Sequence, residues 1–206
     1  MSRIVAGRHR GRRLETPSGA TTRPTTDRAR EALFSALTSW AGRADAPPED
    51  ALAGLAFLDL YAGSGAIGLE AASRGAAPVL LVESDVRTAA LARRNVASLA
   101  SPAAVRTMSV ETLARATAEQ AYDVVFADPP YTLASERLDA VVADLLAQGW
   151  LVADALVVLE RSSRSPAPQW PAQVAESWDR SYGETVLHFA ALGPSEDEDP
   201  AATVPA

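Results

Sequence analysis

The tetrapeptide Asp128-Pro129-Pro130-Tyr131 follows the apolar run Val124-Val125-Phe126-Ala127 and brings together groups suited to one kind of chemistry. Two consecutive prolines restrict the chain and remove N–H donors, so the Pro129 carbonyl is left to accept a bond. Asp128 offers a second acceptor, and Tyr131 a flat face on which a flipped-out base can stack. Two acceptors side by side can hold the two N–H groups of an exocyclic amine. Such an amine is a poor nucleophile because its lone pair is delocalised into the ring, and it becomes cationic as it takes a methyl group. Acceptors aimed at its hydrogens stabilise that charge, as an oxyanion hole does with the opposite sign. Asp128, Pro129 and Tyr131 are therefore the candidate catalytic residues.

A second constellation lies upstream, in Leu58-Asp59-Leu60-Tyr61-Ala62-Gly63-Ser64-Gly65-Ala66-Ile67-Gly68-Leu69-Glu70. Glycines are needed where a backbone turns sharply and must approach a ligand with no Cβ in the way. Gly63-x-Gly65-x-x-Gly68 matches a dinucleotide-binding turn, which alone is a weak signal. Glu83 follows Gly63 by twenty residues, where an acid can accept from both ribose hydroxyls. Loop and acid together indicate an adenosine-containing cofactor. Asp59, four residues before Gly63, separates the candidates, because a carboxylate there suits the cationic amino group of a methionine moiety and would repel a pyrophosphate. S-adenosylmethionine is thus expected over NAD, with Asp59 on the amino group, the backbone from Gly63 to Gly65 along the methionine portion and Glu83 on the ribose. Tyr61, Ala62 and Ser64 complete the expected cofactor loop, and Asp128 borders it.

These two groups of residues need a scaffold that brings them to one edge. From residue 55 onward apolar runs near 55–60, 78–83, 103–109, 122–127 and 155–160 alternate with amphipathic segments near 66–75, 86–99, 110–119 and 135–147. That alternation predicts parallel βαβ units in a sheet covered on both faces, with ligands at the carboxyl ends of the strands. Two last strands near 173–180 and 184–192 lack a helix-length spacer and read as an antiparallel hairpin closing the sheet edge. Asp27 to Trp40 has helical spacing at Ala29, Leu33, Phe34 and Leu37, with Thr26 or Asp27 as the N-cap. Residues 42–50 with Pro47-Pro48 read as a linker, and Trp40, Trp150, Trp170 and Trp178 as packing residues.

The chain has 206 residues, enough for one full-sized α/β domain with a short appendage. Cysteine is absent, so thiolate nucleophiles and zinc-thiolate sites are excluded, and His9 and His188 lie far apart in sequence, which argues against a Ser-His-Asp triad or a multi-histidine site, so no metal is expected. Without a long apolar run or a secretory leader, the reading is a cytoplasmic monomer with no membrane partner. The net charge of −7 is unevenly placed: residues 1–40 hold eight arginines against three acids, while Ser195-Glu196-Asp197-Glu198-Asp199 begins an acidic tail read as disordered. Residues 3–14, punctuated by Gly7 and Gly11, read as a small basic hairpin. Arg3, Arg8, Arg10, Arg12, Arg13, Arg23, Arg28 and Thr25 form the expected RNA-docking surface. The division is thus a basic N-terminal extension at 1–26, a catalytic domain at 27–193 and a tail at 194–206.

Further segments carry a resemblance. Arg3-Ile4-Val5-Ala6-Gly7, Gly11-Arg12-Arg13-Leu14, Arg23-Pro24-Thr25-Thr26-Asp27-Arg28-Ala29-Arg30-Glu31-Ala32-Leu33-Phe34 and Tyr182-Gly183-Glu184-Thr185 accompany the glycine loop and Asp-Pro-Pro-Tyr. Over roughly residues 2–192 the chain resembles the bacterial 16S ribosomal RNA guanine-N2 methyltransferases of the guanine-966 type. The resemblance implies a Rossmann-like seven-stranded S-adenosylmethionine methyltransferase fold, α/β, mostly parallel with an antiparallel last strand. It also implies methylation of one guanine in the head of the small subunit during assembly, with 16S rRNA as partner. The pattern departs at the end of the third strand, where Ser109, followed by Val110, stands in place of the Asp or Asn that often meets the adenine. A DNA adenine-N6 methyltransferase shares the tetrapeptide but usually needs a large recognition domain, and only 75 residues follow Tyr131. A non-catalytic RNA-binding assembly factor would leave Asp59, Glu83 and Asp128 without a purpose, and an NAD dehydrogenase would leave Asp-Pro-Pro-Tyr without one.

Overall fold

The computed structural model describes residues 2–17 and 27–193, with the side chains of Asp27 and Arg28 left aside. Strands β1 (Ser2–Arg3) and β2 (Arg13–Leu14) pair antiparallel, the expected hairpin, much shortened. Helix α1 (Asp27–Trp40) follows as expected; Thr26 and the side chain of Asp27, the candidate caps, fall outside the described residues. The sheet is then built from β3 (Phe57–Leu60), β4 (Val79–Glu83), β5 (Ala104–Thr107), β6 (Tyr122–Ala127), β7 (Leu151–Ser162), β8 (Val174–Tyr182) and β9 (Thr185–Leu192). Between them lie α2 (Ala66–Ser73), α3 (Val86–Ser98), α4 (Val110–Ala114) and α5 (Ser135–Ala147).

The seven strands run in the order β5-β4-β3-β6-β7-β9-β8, and only the pairings of β9 are antiparallel. The last strand therefore inserts between β7 and β8, and β8 forms the edge. Gly183, with φ +65°, opens the two-residue turn between Tyr182 and Thr185, a position that favours glycine in tight hairpins. Strand alternation separates two apolar layers. Phe57, Leu81, Val124, Phe126, Val158 and Phe189 pack with residues of α1 and α2, and Leu58, Leu80, Val82, Val125 and Val157 pack with α4 and α5.

Helix α4 and strand β5 fall three or more residues short of what the periodicity predicts. Helix α4 stops at Ala114 rather than near 119, because Ala118 N–H donates to the Gln148 carbonyl and Trp150 Nε1 donates to the Ala116 carbonyl. Tertiary bonds draw this segment away from the helix that its alanines favour. Strand β5 stops at Thr107, since Ser109 turns to cap α4. Residues 42–50, read as a linker, form a series of solvent-facing turns, and the chain re-enters the core directly after them, at buried Ala51 and Leu52. Trp150 is fully buried and Trp178 stacks on Phe189 at 5.1 Å, as packing residues should. No helix among the described residues is long and apolar enough to cross a membrane.

Candidate active site

The strand order reverses at β3, whose neighbours β4 and β6 carry connections leading in opposite directions. Asp59 is aligned with Leu81 and Phe126, and Leu60 with Val82 and Ala127. The glycine loop after Leu60, Glu83 at the end of β4 and Asp128 after Ala127 are therefore carried to one edge by strand register alone.

The loop is made of strained and permissive positions. Tyr61, leaving β3, has φ +56°, a left-handed conformation that an aromatic residue holds only where its surroundings impose it. Ala62 N–H donates to the Val82 carbonyl at 2.9 Å, and Gly65 N–H to the Ala62 carbonyl at 2.7 Å. Gly63 and Gly65 have φ +55° and +80°, but their surroundings differ. A Cβ on Gly63 would meet open space, whereas one on Gly65 or Gly68 would press on Leu81. Gly63 thus presents bare backbone outward while the other two let α2 approach the sheet.

Three carboxylates define the electrostatics. Glu83 accepts the Gly63 N–H at 2.9 Å through one oxygen and the Asp85 N–H at 2.8 Å through the other, which leaves further lone pairs for a diol. Asp59 is buried, and its Oδ2 accepts the Gly68 N–H at 2.8 Å. Burial pushes its carboxyl up to about 7, the Gly68 bond opposing and the charge of Glu83 adding. Asp128 is open to solvent, yet crowding by the cleft around it, followed by the charges of Glu160 and Asp59, raises its carboxyl well above the ordinary range against the pull of Arg161. Pro129 is buried, Pro130 is exposed with its carbonyl taken by Leu133 N–H at 2.9 Å, and Tyr131 is 65% exposed.

The structure brings Tyr61, Ala62, Gly63, Ser64, Gly65, Glu83, Asp59, Asp128, Pro129 and Tyr131 to this edge. Ser109 stands at the end of β5 as the N-cap of α4, its hydroxyl accepting the Thr112 N–H at 3.1 Å. Val110 is 2% exposed in the core, so its side chain packs and only its backbone is left for a ligand. On the extension, Arg3, Arg8, Arg10, Arg12 and Arg13 are all exposed. Arg8 pairs with Asp50 at 3.5 Å, and Arg12 Nη2 donates to the Ser98 carbonyl at 2.7 Å. Arg23 and Thr25 lie outside the described residues, as does the side chain of Arg28.

Several residues that matter here gave little signal. Glu160 and Arg161 are buried at the end of β7, one step beyond the register pair Leu159 and Ala127, and Arg161 Nη2 holds the Leu133 carbonyl of the catalytic loop at 2.9 Å. A charged pair ending an apolar strand was the available clue. Val86, 70% exposed beside Glu83 at the start of α3, is a bare apolar surface at the cofactor edge. Glu70, fully buried on α2, accepts the Val5 and Ala6 N–H groups at 2.6 and 2.9 Å and pairs with Arg74 at 2.9 Å. Its spacing to Arg74 is a common helical pair and carries no hint of that task.

The sequence matches the family described as conserved hypothetical protein 95 over residues 2–191. It is 36% identical over 172 residues to the ribosomal RNA small subunit methyltransferase D of Escherichia coli strain K12, covering 82% of this chain and 79% of that one. The chain belongs to this methyltransferase family. A solved candidate methyltransferase from Escherichia coli superposes with a TM-score of 0.79 at 30% identity, covering 93% of this chain and 98% of that one. The 16S rRNA N2 G1207 methyltransferase of Thermus thermophilus, solved with AdoMet and guanosine, shares the fold at a TM-score of 0.60 and 22% identity, over 85% of this chain and 44% of that one. The α/β fold with one antiparallel last strand and a small N-terminal hairpin is thus that of S-adenosylmethionine-dependent methyltransferases.

Proposed function

We propose that this chain transfers the methyl group of S-adenosylmethionine to the exocyclic N2 amine of a guanine in 16S ribosomal RNA, acting on an assembling small subunit as a monomer. The observation that carries the reading is the register pairing of Leu60 with Ala127, which sets the outward-facing Gly63 backbone and the Glu83 carboxylate beside Asp128-Pro129-Pro130-Tyr131. The relatives' names support ribosomal RNA as the substrate.

The site fits the cofactor. A loop with a bare backbone face at Gly63, an acid with spare lone pairs at Glu83 and a buried acid at Asp59 match an uncharged loop contact, a diol and an ammonium group respectively. When bound, S-adenosylmethionine supplies an electrophilic methyl group on a sulfonium.

The chain's own residues do the rest. Tyr131, exposed at the mouth, stacks on the extruded base. Asp128 and the Pro129 carbonyl accept the two amine hydrogens and turn the nitrogen lone pair outward. As the nitrogen gains charge, the Asp128 carboxylate stabilises it and then takes the released proton, a role for which a raised carboxyl is suited. Arg161 keeps the loop in place through Leu133.

The deciding measurement is single-turnover methylation of 16S ribosomal RNA, naked and in assembling particles, followed by mass spectrometry of the nucleosides. N2-methylguanosine at one site is the expected product. Methyl transfer to adenine N6, or none with either substrate, would overturn the reading.

A further inference from the structure

Asn95 lies on α3 away from the reacting groups, and its side chain is 1% exposed. Its amide is a three-way junction. Nδ2 donates to the Ser64 carbonyl at 2.9 Å and to the Glu15 carbonyl at 3.0 Å, while Oδ1 accepts the Glu15 N–H at 2.8 Å. Both amide hydrogens are thereby used.

The two bonds to Glu15 imitate a strand pairing, so the segment after β2 is set against α3 by a side chain. That segment has two more supports on the same helix: Arg12 Nη2 on the Ser98 carbonyl at 2.7 Å, and Glu15 on Arg94 at 2.9 Å. Both are exposed and open to replacement by water, whereas Leu14 is buried in the core and the Arg12 carbonyl holds the Ile4 N–H at 2.9 Å, so only the Glu15 end can loosen while β2 stays paired.

The third bond reaches the cofactor loop. Ser64 stands between Gly63 and Gly65, both at positive φ, and a peptide plane flanked by glycine has unusual rotational freedom. Fixing the Ser64 carbonyl also fixes the Gly65 N–H in the same plane, and that N–H closes the turn on the Ala62 carbonyl at 2.7 Å. Asn95 thus holds from behind the peptide on which the loop's shape depends.

We propose that Asn95 is a positioning residue coupling the N-terminal extension to the cofactor loop, so that RNA on the extension and S-adenosylmethionine on the loop strengthen each other's binding. The inference rests on the functional reading above. RNA that holds Glu15 down on α3 keeps the Asn95 amide oriented, and the oriented amide keeps the loop in its binding shape. By linkage the loop returns the effect to the RNA with the same factor.

Calorimetric titration of the full chain with S-adenosylhomocysteine, with and without a saturating 16S ribosomal RNA fragment carrying the target guanine, tests the coupling. In the parent the RNA should tighten binding about fivefold or more. Asn95→Ala, which favours the helix but strands the Ser64 carbonyl and the part-buried Glu15 backbone groups, should bring the two affinities together and lower the melting temperature as well. Glu15→Pro removes the N–H held by Asn95 together with the Arg94 ion pair and leaves Asn95 in place; it should also reduce the coupling, and it decides alone if Asn95→Ala fails to fold. Independent binding of the two ligands to the parent, or full coupling in the variants that fold, would overturn the inference and leave the function standing. Binding of neither ligand to the parent would overturn both.

Discussion

Asp128 and Asp59 are both carboxylates with raised protonation, and they make opposite demands on pH. In the mechanism proposed above Asp128 must be ionised to receive the amine, so kcat should climb as pH rises through its raised carboxyl and level off above it. Asp128→Asn keeps the shape and one acceptor but cannot take a proton. It should lose that acid limb and fall to an intermediate rate, and Asp128→Ala should lose about 10²–10³ in kcat while binding S-adenosylmethionine within a few-fold. Stopped-time single-turnover assays across pH, paired with calorimetry, measure both; a fully active Asp128→Ala enzyme would remove the central residue of the scheme. Asp59 speaks to stability. Its folded carboxyl lies near 7 against an ordinary 3.8, so between those limits the folded state holds more protons than the unfolded one and stability declines as pH rises. Asp59→Asn can still accept from Gly68 and has no such slope. Relative to the parent it should gain stability from pH 4 to 7, by at most about 4 kcal/mol, and then no further. Denaturant midpoints measured for both proteins over that range would show it, and parallel curves would mean that Asp59 titrates in the ordinary range.

At the level of elements, the N-terminal segment is held on α2 as well as on α1 and α3. Glu70 receives two backbone N–H groups from Val5 and Ala6, and Ser73 receives the Arg8 N–H on its carbonyl and the His9 N–H on its hydroxyl. Gly7 sits so close that a Cβ would collide with the Ser73 carbonyl, and its φ of +78° is itself unfavourable for other residues. Glu70→Ala strands two N–H groups and the Arg74 guanidinium, and should cost about 3–5 kcal/mol by denaturant titration. Hydrogen exchange should show the amides of Val5 and Ala6 losing protection, and their continued protection would place the anchor elsewhere. This attachment was not legible in the sequence, because a lone glutamate on a helix says nothing about a partner 65 residues away. The parallel units and the two loops at their ends were legible, since strand period, glycine spacing and Asp-Pro-Pro-Tyr are local signals. Where tertiary contacts compete with local preference the helix reading overshot: α4 is cut back by bonds to Gln148 and Trp150. Asn95, Glu160 and Arg161 gain their meaning only from strands and segments brought beside them by folding.

Across the whole molecule, charge is segregated in sequence: the chain is acidic at −7, and its arginines gather at the start. On the function proposed above, association with RNA is expected to follow the local field of the N-terminal segment rather than net charge. The arginines there are not equivalent. Arg12 already spends Nη2 on the Ser98 carbonyl at 2.7 Å and Arg8 faces Asp50 at 3.5 Å, while Arg10 and Arg13 are exposed with no side-chain partner among the described residues. A guanidinium held by the protein keeps its charge but has fewer donors for phosphate, whereas an unheld one can reach it bidentately. Each arginine that displaces a counterion from RNA contributes about 0.7–0.9 to the slope of log K against log salt. Arg10→Ala and Arg13→Ala should each lower the slope by about that amount, and the double variant by about twice as much. Arg12→Ala should lower it less, and should chiefly weaken the hold of residues 12–15 on α3. Fluorescence titrations of a 16S ribosomal RNA fragment at several salt concentrations resolve such differences. If the double variant kept the parent's slope, the RNA would have to dock on another face, and the basic start of the chain would be a solvated surface.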